Sequence, residues 1–148
     1  MLERGLGALN SLALRRGRVP ELPPHLVTGE RGELAAYSYL RRRGFIVVAR
    51  RWNDSPLPGD LDLIAWDGPT LCFIEVKTRG SREVTLASAA VDSQKRQILR
   101  RLARHYLRQL PDPESVEVRF DIVTVYESAD KPPEIQLIPG AFGWSEQR

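Results

Sequence analysis

The chain has 148 residues, which is enough for one domain with a single core and too few for two. Hydrophobic residues make up 42% and charged residues 28%, so wholesale disorder is excluded, and no apolar run approaches the roughly 18 residues of a membrane-spanning helix. Cys72 is the sole cysteine, which excludes an intrachain disulfide framework and a cysteine-rich zinc site and indicates a reducing, cytoplasmic location.

The chain carries 22 basic and 19 acidic residues, and the basic residues are concentrated before residue 110. Nearly all of them are arginine, since lysine occurs only at Lys77, Lys95 and Lys131. A guanidinium group matches the oxygens of a phosphate, so this enrichment is compatible with a polyanionic partner. A genome that favours arginine codons explains the same composition, and the two explanations stay open at this point.

Helical and strand patterns predict one mixed α/β domain over residues 28–148, preceded by an N-terminal arm. Residues 1–27 lack periodicity and end in prolines, so we predict a flexible basic arm there. The predicted elements, in chain order, are a helix over 30–43, strands over 45–52, 61–66 and 71–77, a helix over 91–110, and strands over 116–126 and 135–138. The order α-β-β-β-α-β-β is typical of a mixed sheet flanked by helices.

Charged residues interrupt two predicted strands that should be apolar on both faces. Asp62 lies within the second strand, and Glu75 and Lys77 share one face of the third, because successive strand residues alternate between faces. A hairpin turn at 67–68 places Asp62 opposite a residue between Phe73 and Glu75. We therefore expect the two carboxylates to lie within reach of one cation.

Two carboxylates and a lysine on adjacent strands can hold a magnesium ion and activate water. Magnesium prefers oxygen ligands and is usually held by one or two carboxylates together with substrate phosphates. The bound ion can polarise a phosphate and help to generate hydroxide, while a lysine orients the water or offsets developing charge. An internal salt bridge between Lys77 and either Asp62 or Glu75 is the alternative, and the D…ExK spacing alone favours that alternative.

The two predicted helices place further charged residues on faces that should be buried. Glu33 shares a helix face with Tyr37 and Leu40, and Lys95 lies one turn before the buried stripe that begins at Leu99. Together with the strand residues, these make five charged side chains at interior positions of separate elements. One shared polar site explains them better than unrelated exceptions do.

The other face of the second helix carries an arginine at every fourth position: Arg96, Arg100, Arg104 and Arg108. Contact with phosphate and a solvated helix face explain this stripe about equally well. We assign a second arginine cluster, over residues 41–51, to a solvated surface. Asp121, which interrupts the fourth strand, is interpreted as structural.

Four segments of the sequence resemble the bacterial YraN family, whose members are uncharacterised proteins or predicted endonucleases. In order, they are Thr28–Glu33, Gly59–Ala65, Phe73–Arg79 and Arg119–Val123. That family is similar to archaeal Holliday-junction resolvases and to the wider PD-(D/E)xK nuclease superfamily. The resemblance therefore implies a restriction-endonuclease-like fold. Asp60 stands where the family usually has glutamate, outside the expected site.

The resemblance also implies a role for each charged residue. Glu33, Asp62 and Glu75 would bind the metal, Lys77 would be the catalytic lysine, and Lys95 would be an accessory catalytic residue. We expect Mg²⁺ as the cofactor, with Mn²⁺ as its substitute. The expected activity is a metal-dependent endonuclease that hydrolyses DNA phosphodiester bonds.

The expected partner is DNA, including branched recombination intermediates, with RNA as an alternative and with no membrane partner. Related resolvases act as dimers, so a homodimer is expected as well. The arginines expected to bind phosphate are Arg79, Arg96, Arg100, Arg104 and Arg108. The alternative function is a nucleic-acid-binding accessory protein that keeps the nuclease fold with little or no turnover.

Overall fold

A computed structural model describes residues 24–80 and 91–146, with side chains described from residue 29 onward. Its elements are α1 (Pro24–Arg42), β1 (Ile46–Trp52), β2 (Leu61–Asp67), β3 (Thr70–Arg79), α2 (Ser93–Leu107), β4 (Glu117–Ser128) and β5 (Lys131–Phe142). The predicted order α-β-β-β-α-β-β is confirmed. Neither helix in these ranges has the length and apolarity needed to cross a bilayer.

The first helix begins earlier than the sequence pattern predicts. It starts at Pro24 rather than at residue 30, and proline is compatible with that position because the first turn of a helix leaves its N–H groups unpaired. The predicted arm over 1–27 therefore loses its last four residues to α1, and its first 23 residues lie outside the described part of the chain. Most of the loop predicted after β3 also falls outside, since residues 81–90 are not described.

A mixed five-stranded sheet in the order β1-β2-β3-β4-β5 forms the centre of the domain. Neighbouring strands are antiparallel except for β3 and β4, which are parallel and are joined by the crossover that contains α2. Helix α1 packs on one face of the sheet against a core that includes Cys72 and Ile74. Helix α2 packs on the other face against a core that includes Phe73 and Phe120. The stretch of β3 from Leu71 to Ile74 is apolar and buried on both faces, because each face is covered by a helix.

The last strand is much longer than the four residues predicted for it. It runs from Lys131 to Phe142 and contains Pro132, Pro133 and Pro139. Prolines argue against a central strand because they cannot donate to a neighbouring strand, but β5 pairs only with β4 and lies at the edge of the sheet. An edge strand tolerates prolines because no further strand on its outer side requires backbone N–H donors.

An ionic network ties β5 to the end of the β2–β3 hairpin. Asp121 of β4 is fully buried and accepts hydrogen bonds from Arg119 Nε at 2.8 Å and Arg119 Nη2 at 2.9 Å. The same carboxylate accepts from Gly140 N at 3.0 Å, and Arg119 also donates to Asp67 Oδ2 at 2.9 Å. These contacts join β2, β4 and β5. Asp121 therefore stabilises the contact between strands, in agreement with its interpretation as a structural residue.

Candidate functional site

The site forms where strands β2 and β3 separate. Their pairing runs from Asp67 opposite Thr70 to Leu63 opposite Ile74 and then ends. The next step of the same register sets Asp62 opposite Glu75, which confirms the predicted range of partners. Instead of a backbone carbonyl, Asp62 Oδ2 accepts the hydrogen bond from Val76 N, at 2.8 Å. This bond fixes the Asp62 carboxylate between the two strands.

The carboxyl groups of Asp62 and Glu75 are close enough for each to change the pKa of the other. Burial, and next the negative charge of Asp62, raise the pKa of Glu75 to about 8. Burial also raises the pKa of Asp62, against the opposing effect of the Val76 N–H. Glu75 Oε2 is buried and accepts no hydrogen bond from any donor in the described residues. The pair therefore combines a carboxyl group of raised pKa with a buried acceptor oxygen that has no donor among the described residues.

Two lysines lie beside this carboxyl pair. Lys95 Nζ is 3.9 Å from Glu75 Oε1, and the lysine is held at the start of α2 because its backbone N–H donates to the N-cap residue Asp92, at 2.9 Å. Lys77 follows Glu75 by two residues on the same face of β3. Burial, and next the charge of Arg79, lower the pKa of Lys77, so its amine loses its proton more readily than an exposed lysine does.

Helix α1 approaches β3 closely at the same end of the sheet. A Cβ atom at Gly32 would lie only 1.9 Å from Thr78 Oγ1, so the approach depends on glycine. It brings Glu33 near enough for its charge to raise the pKa of Asp62. The Glu33 carboxylate, however, accepts a hydrogen bond from Arg51 Nε at 2.7 Å. Glu33 therefore neighbours the Asp62–Glu75 pair without joining it.

The described residues contain no group of three or more His, Cys, Asp or Glu side chains arranged to hold a metal ion. Asp62 and Glu75 nevertheless match what Mg²⁺ accepts, since it is usually held by one or two carboxylates, with water and phosphate oxygens as its other ligands. The buried Glu75 Oε2, which has no donor, is the observation that supports this fit. The structure thus brings two of the three predicted metal ligands together and places the third beside them, bound to an arginine.

The arginine stripe of α2 is not exposed along its whole length. Arg100 is only 4% exposed, and its Nε donates to Gly143 O at 2.7 Å. Arg96 and Arg100 both donate to Glu146 Oε1, and the Arg104 guanidinium lies over the Trp144 ring, 5.1 Å from its centre. The expectation of a continuous exposed stripe is therefore wrong at Arg100, because the segment after β5 folds back over α2.

The other arginines expected to bind phosphate have different surroundings. Arg108 is exposed at the end of α2, and Arg79 is half-buried at the end of β3, where its Nη1 donates to Thr78 O at 2.9 Å. Sequence reasoning also missed the contact between Arg51 and Glu33, since it assigned Arg51 to a solvated cluster. No local pattern marks this contact, because its partners are 18 residues apart in the chain.

The raised pKa of Glu75 predicts that a divalent cation displaces a proton. Between the ordinary value of 4.5 and about 8, native Glu75 is protonated while the unfolded chain is ionised, so the stability of the metal-free protein should fall as pH rises through this range. If the pair holds Mg²⁺, addition of the cation at pH 7 should release about one proton per chain, because a divalent cation binds carboxylates in their ionised form. Calorimetry in two buffers of different ionisation enthalpy measures this number.

Glu75→Gln is the matched control for proton release. It keeps the shape of the side chain and removes the titrating group, so both the pH dependence between 4.5 and 8 and the released proton should disappear. Equal proton release from the variant and the parent chain would assign the proton to another group.

The comparisons with known proteins identify the family. A family model described as "Uncharacterised protein family UPF0102" matches residues 32–125. A UPF0102 protein of Koribacter versatilis (strain Ellin345) is 52% identical over 123 residues, covering 83% of this chain and 84% of that protein. Relatives from Solibacter usitatus (strain Ellin6076) and Pseudomonas aeruginosa (strain LESB58) are 45% and 36% identical, and the matches cover 92% and 90% of those proteins and 87% and 77% of this chain. The chain therefore belongs to the UPF0102 family, and the predicted YraN-like relationship is confirmed.

Proposed function

We propose that this UPF0102 protein is a Mg²⁺-dependent endonuclease that hydrolyses phosphodiester bonds in DNA. The observation that carries the proposal is the partly buried Asp62–Glu75 pair at the point where β2 and β3 separate, with a buried carboxylate oxygen that has no donor among the described residues. Its resemblance to the PD-(D/E)xK nucleases adds support, because both carboxylates and Lys77 fall on the superfamily's motif.

In this proposal each residue of the site has a separate task. Asp62 and Glu75 would hold Mg²⁺, or Mn²⁺ as its substitute, and the bound ion would polarise the scissile phosphate and acidify a water. Lys77 would orient the attacking water, and its lowered pKa makes its ammonium group a readier proton donor than that of an exposed lysine. Lys95, which lies 3.9 Å from Glu75 Oε1, offsets the negative charge that develops on the phosphate.

Contacts with the DNA backbone would come from arginines near the site. Arg79 lies two residues beyond Lys77 on β3, and exposed arginines continue along α2 at Arg104 and Arg108. Contacts of this kind hold phosphates without reading base sequence, so we expect affinity that falls steeply with added salt. Branched DNA as the substrate and a homodimer as the active form belong to the same proposal.

One feature favours the alternative, a nucleic-acid-binding protein that does not cleave. Two carboxylates of the site already face cations of the same chain, Glu33 with Arg51 and Glu75 with Lys95. If these ion pairs persist when nucleic acid binds, the carboxylates stay neutralised by the protein and hold no metal.

A substrate panel tests the proposed activity. The protein is mixed with a four-way junction, a nicked duplex, a linear duplex and single-stranded RNA, each with Mg²⁺, with Mn²⁺ or with EDTA. We expect strand cleavage of at least one DNA with metal and none with EDTA, and no cleavage by Glu75→Gln. Salt-sensitive binding without cleavage under either metal would favour the accessory function, and absence of binding would contradict both.

A further inference from the structure

Two neighbouring arginines of β1 reach the same carboxylate. Arg51 Nε lies 2.7 Å from Glu33 Oε2, and Arg50 Nη2 lies 4.0 Å from the same oxygen. In a regular strand, adjacent side chains point to opposite faces. Arg51 breaks this alternation because its backbone is left-handed, with φ of 47°.

The left-handed backbone at Arg51 is unfavourable for a residue with a Cβ atom. Strained conformations of this kind occur mainly where surrounding contacts hold them, and they cluster at functional sites. Here the contacts come from consecutive turns of α1, since Arg51 also donates to Glu30 Oε1 at 3.3 Å. The strain therefore serves to place a guanidinium group on the carboxylate of Glu33.

Glu33 is the acidic residue that stands next to the Asp62–Glu75 pair, and its charge acts on Asp62. A carboxylate that accepts a short hydrogen bond from a guanidinium is already neutralised, and a metal ion must compete for it. Arg51 is 41% exposed, so the guanidinium can leave Glu33 without crossing the core.

We propose that Arg51 is a positioning residue that withholds Glu33 from the divalent cation in the metal-free protein and moves to a phosphate of the nucleic acid once the cation is bound. This inference rests on the proposed function. It explains why two of the predicted ligands meet while the third lies beside them, and it assigns to β1 a role in coupling metal binding to substrate binding.

Binding of Mn²⁺ measures the first half of this inference without any cleavage assay. The electron paramagnetic resonance signal of free Mn²⁺ is followed during titration of the parent chain, Arg51→Asn and Arg50→Gln. Asparagine adopts a left-handed backbone readily, so Arg51→Asn removes the guanidinium and keeps the local fold. We expect Arg51→Asn to bind Mn²⁺ about fivefold more tightly than the parent chain. This ratio corresponds to the roughly 1 kcal/mol that an exposed ion pair contributes, which the metal no longer has to overcome. Arg50→Gln, the matched control that removes a charge farther from the same oxygen, should change the affinity less than about twofold.

The variant Glu33→Gln separates the proposed route from a general charge effect. In a Glu33→Gln background, Arg51→Asn should bring no gain in Mn²⁺ affinity. A gain that persists there, an equal gain from Arg50→Gln, or no gain at all would overturn the role of Arg51. If the parent chain binds no Mn²⁺, or binds it as tightly after Asp62→Asn, the proposed function itself fails, and this result is distinct from the others. Thermal unfolding followed by circular dichroism confirms that each variant is folded.

Binding of DNA measures the second half. With Ca²⁺ in place of Mg²⁺, Arg51→Asn should bind DNA more weakly than the parent chain, and the slope of log affinity against log salt should fall by about one, as expected for one lost phosphate contact. An unchanged slope would show that Arg51 does not move to phosphate.

Discussion

Asp62→Asn should reduce DNA cleavage at least about a hundredfold while leaving DNA binding nearly unchanged. The asparagine side-chain oxygen can still accept the hydrogen bond from Val76 N that Asp62 accepts at 2.8 Å, so the strands should separate in the same way. What the variant loses is the negative charge that would hold the cation. Cleavage is measured on the best substrate of the panel, and binding is measured by fluorescence anisotropy with Ca²⁺.

Two further variants complete this comparison. Lys77→Ala should lose cleavage to a similar degree, since a charged group beside a reacting phosphate is worth roughly a hundredfold or more. Asp60→Asn is the matched control, because Asp60 is an exposed carboxylate just before β2 and lies outside the pair. If Asp62→Asn and Lys77→Ala cut as the parent chain does, the assignment of the site is wrong.

The largest effect on stability is expected in the ionic network of Arg119 and Asp121. Arg119→Leu should lower the free energy of unfolding by about 3 kcal/mol or more, because it leaves the fully buried carboxylate of Asp121 without its cation. Urea denaturation of the metal-free protein measures this change. Arg119→Leu should keep the DNA affinity of the parent chain, since Arg119 takes no part in the candidate site.

The control for this loss is Arg101→Leu, which makes the same change at an exposed position of α2. It should alter the free energy of unfolding by no more than about 0.5 kcal/mol. A loss below about 1 kcal/mol for Arg119→Leu would contradict the network, because breaking a buried ion pair is strongly destabilising.

Local patterns were sufficient to predict the order of the elements and the meeting of Asp62 with Glu75. The turn of the β2–β3 hairpin sets the register within a short stretch of chain, so a residue count places the two acids opposite each other. The same counting cannot find a contact between separate elements. The hydrogen bond between Arg51 and Glu33 joins residues 18 positions apart, and the one between Arg100 and Gly143 joins residues 43 positions apart. Neither contact produces a periodic pattern in the sequence.

The prediction for α2 shows the limit of helical periodicity. Spacing of four residues separates Arg100 from the apolar stripe and therefore indicates exposure. The end of β5 and the segment after it extend the core on that side of α2, where Phe142 and Trp144 pack against Phe120. Arg100 is buried there, with its guanidinium 5.5 Å from the centre of the Phe142 ring.

The β2–β3 hairpin constrains how the family can vary in length. Both carboxylates of the pair lie on this one unit, on either side of the turn at Gly68. Inserting or deleting a single residue between Asp62 and Glu75 would shift the pairing by one position and turn one carboxylate to the opposite face. Substitutions that keep the length of the hairpin therefore leave this register unchanged, whereas odd-numbered changes in its length are incompatible with the site unless a bulge absorbs them.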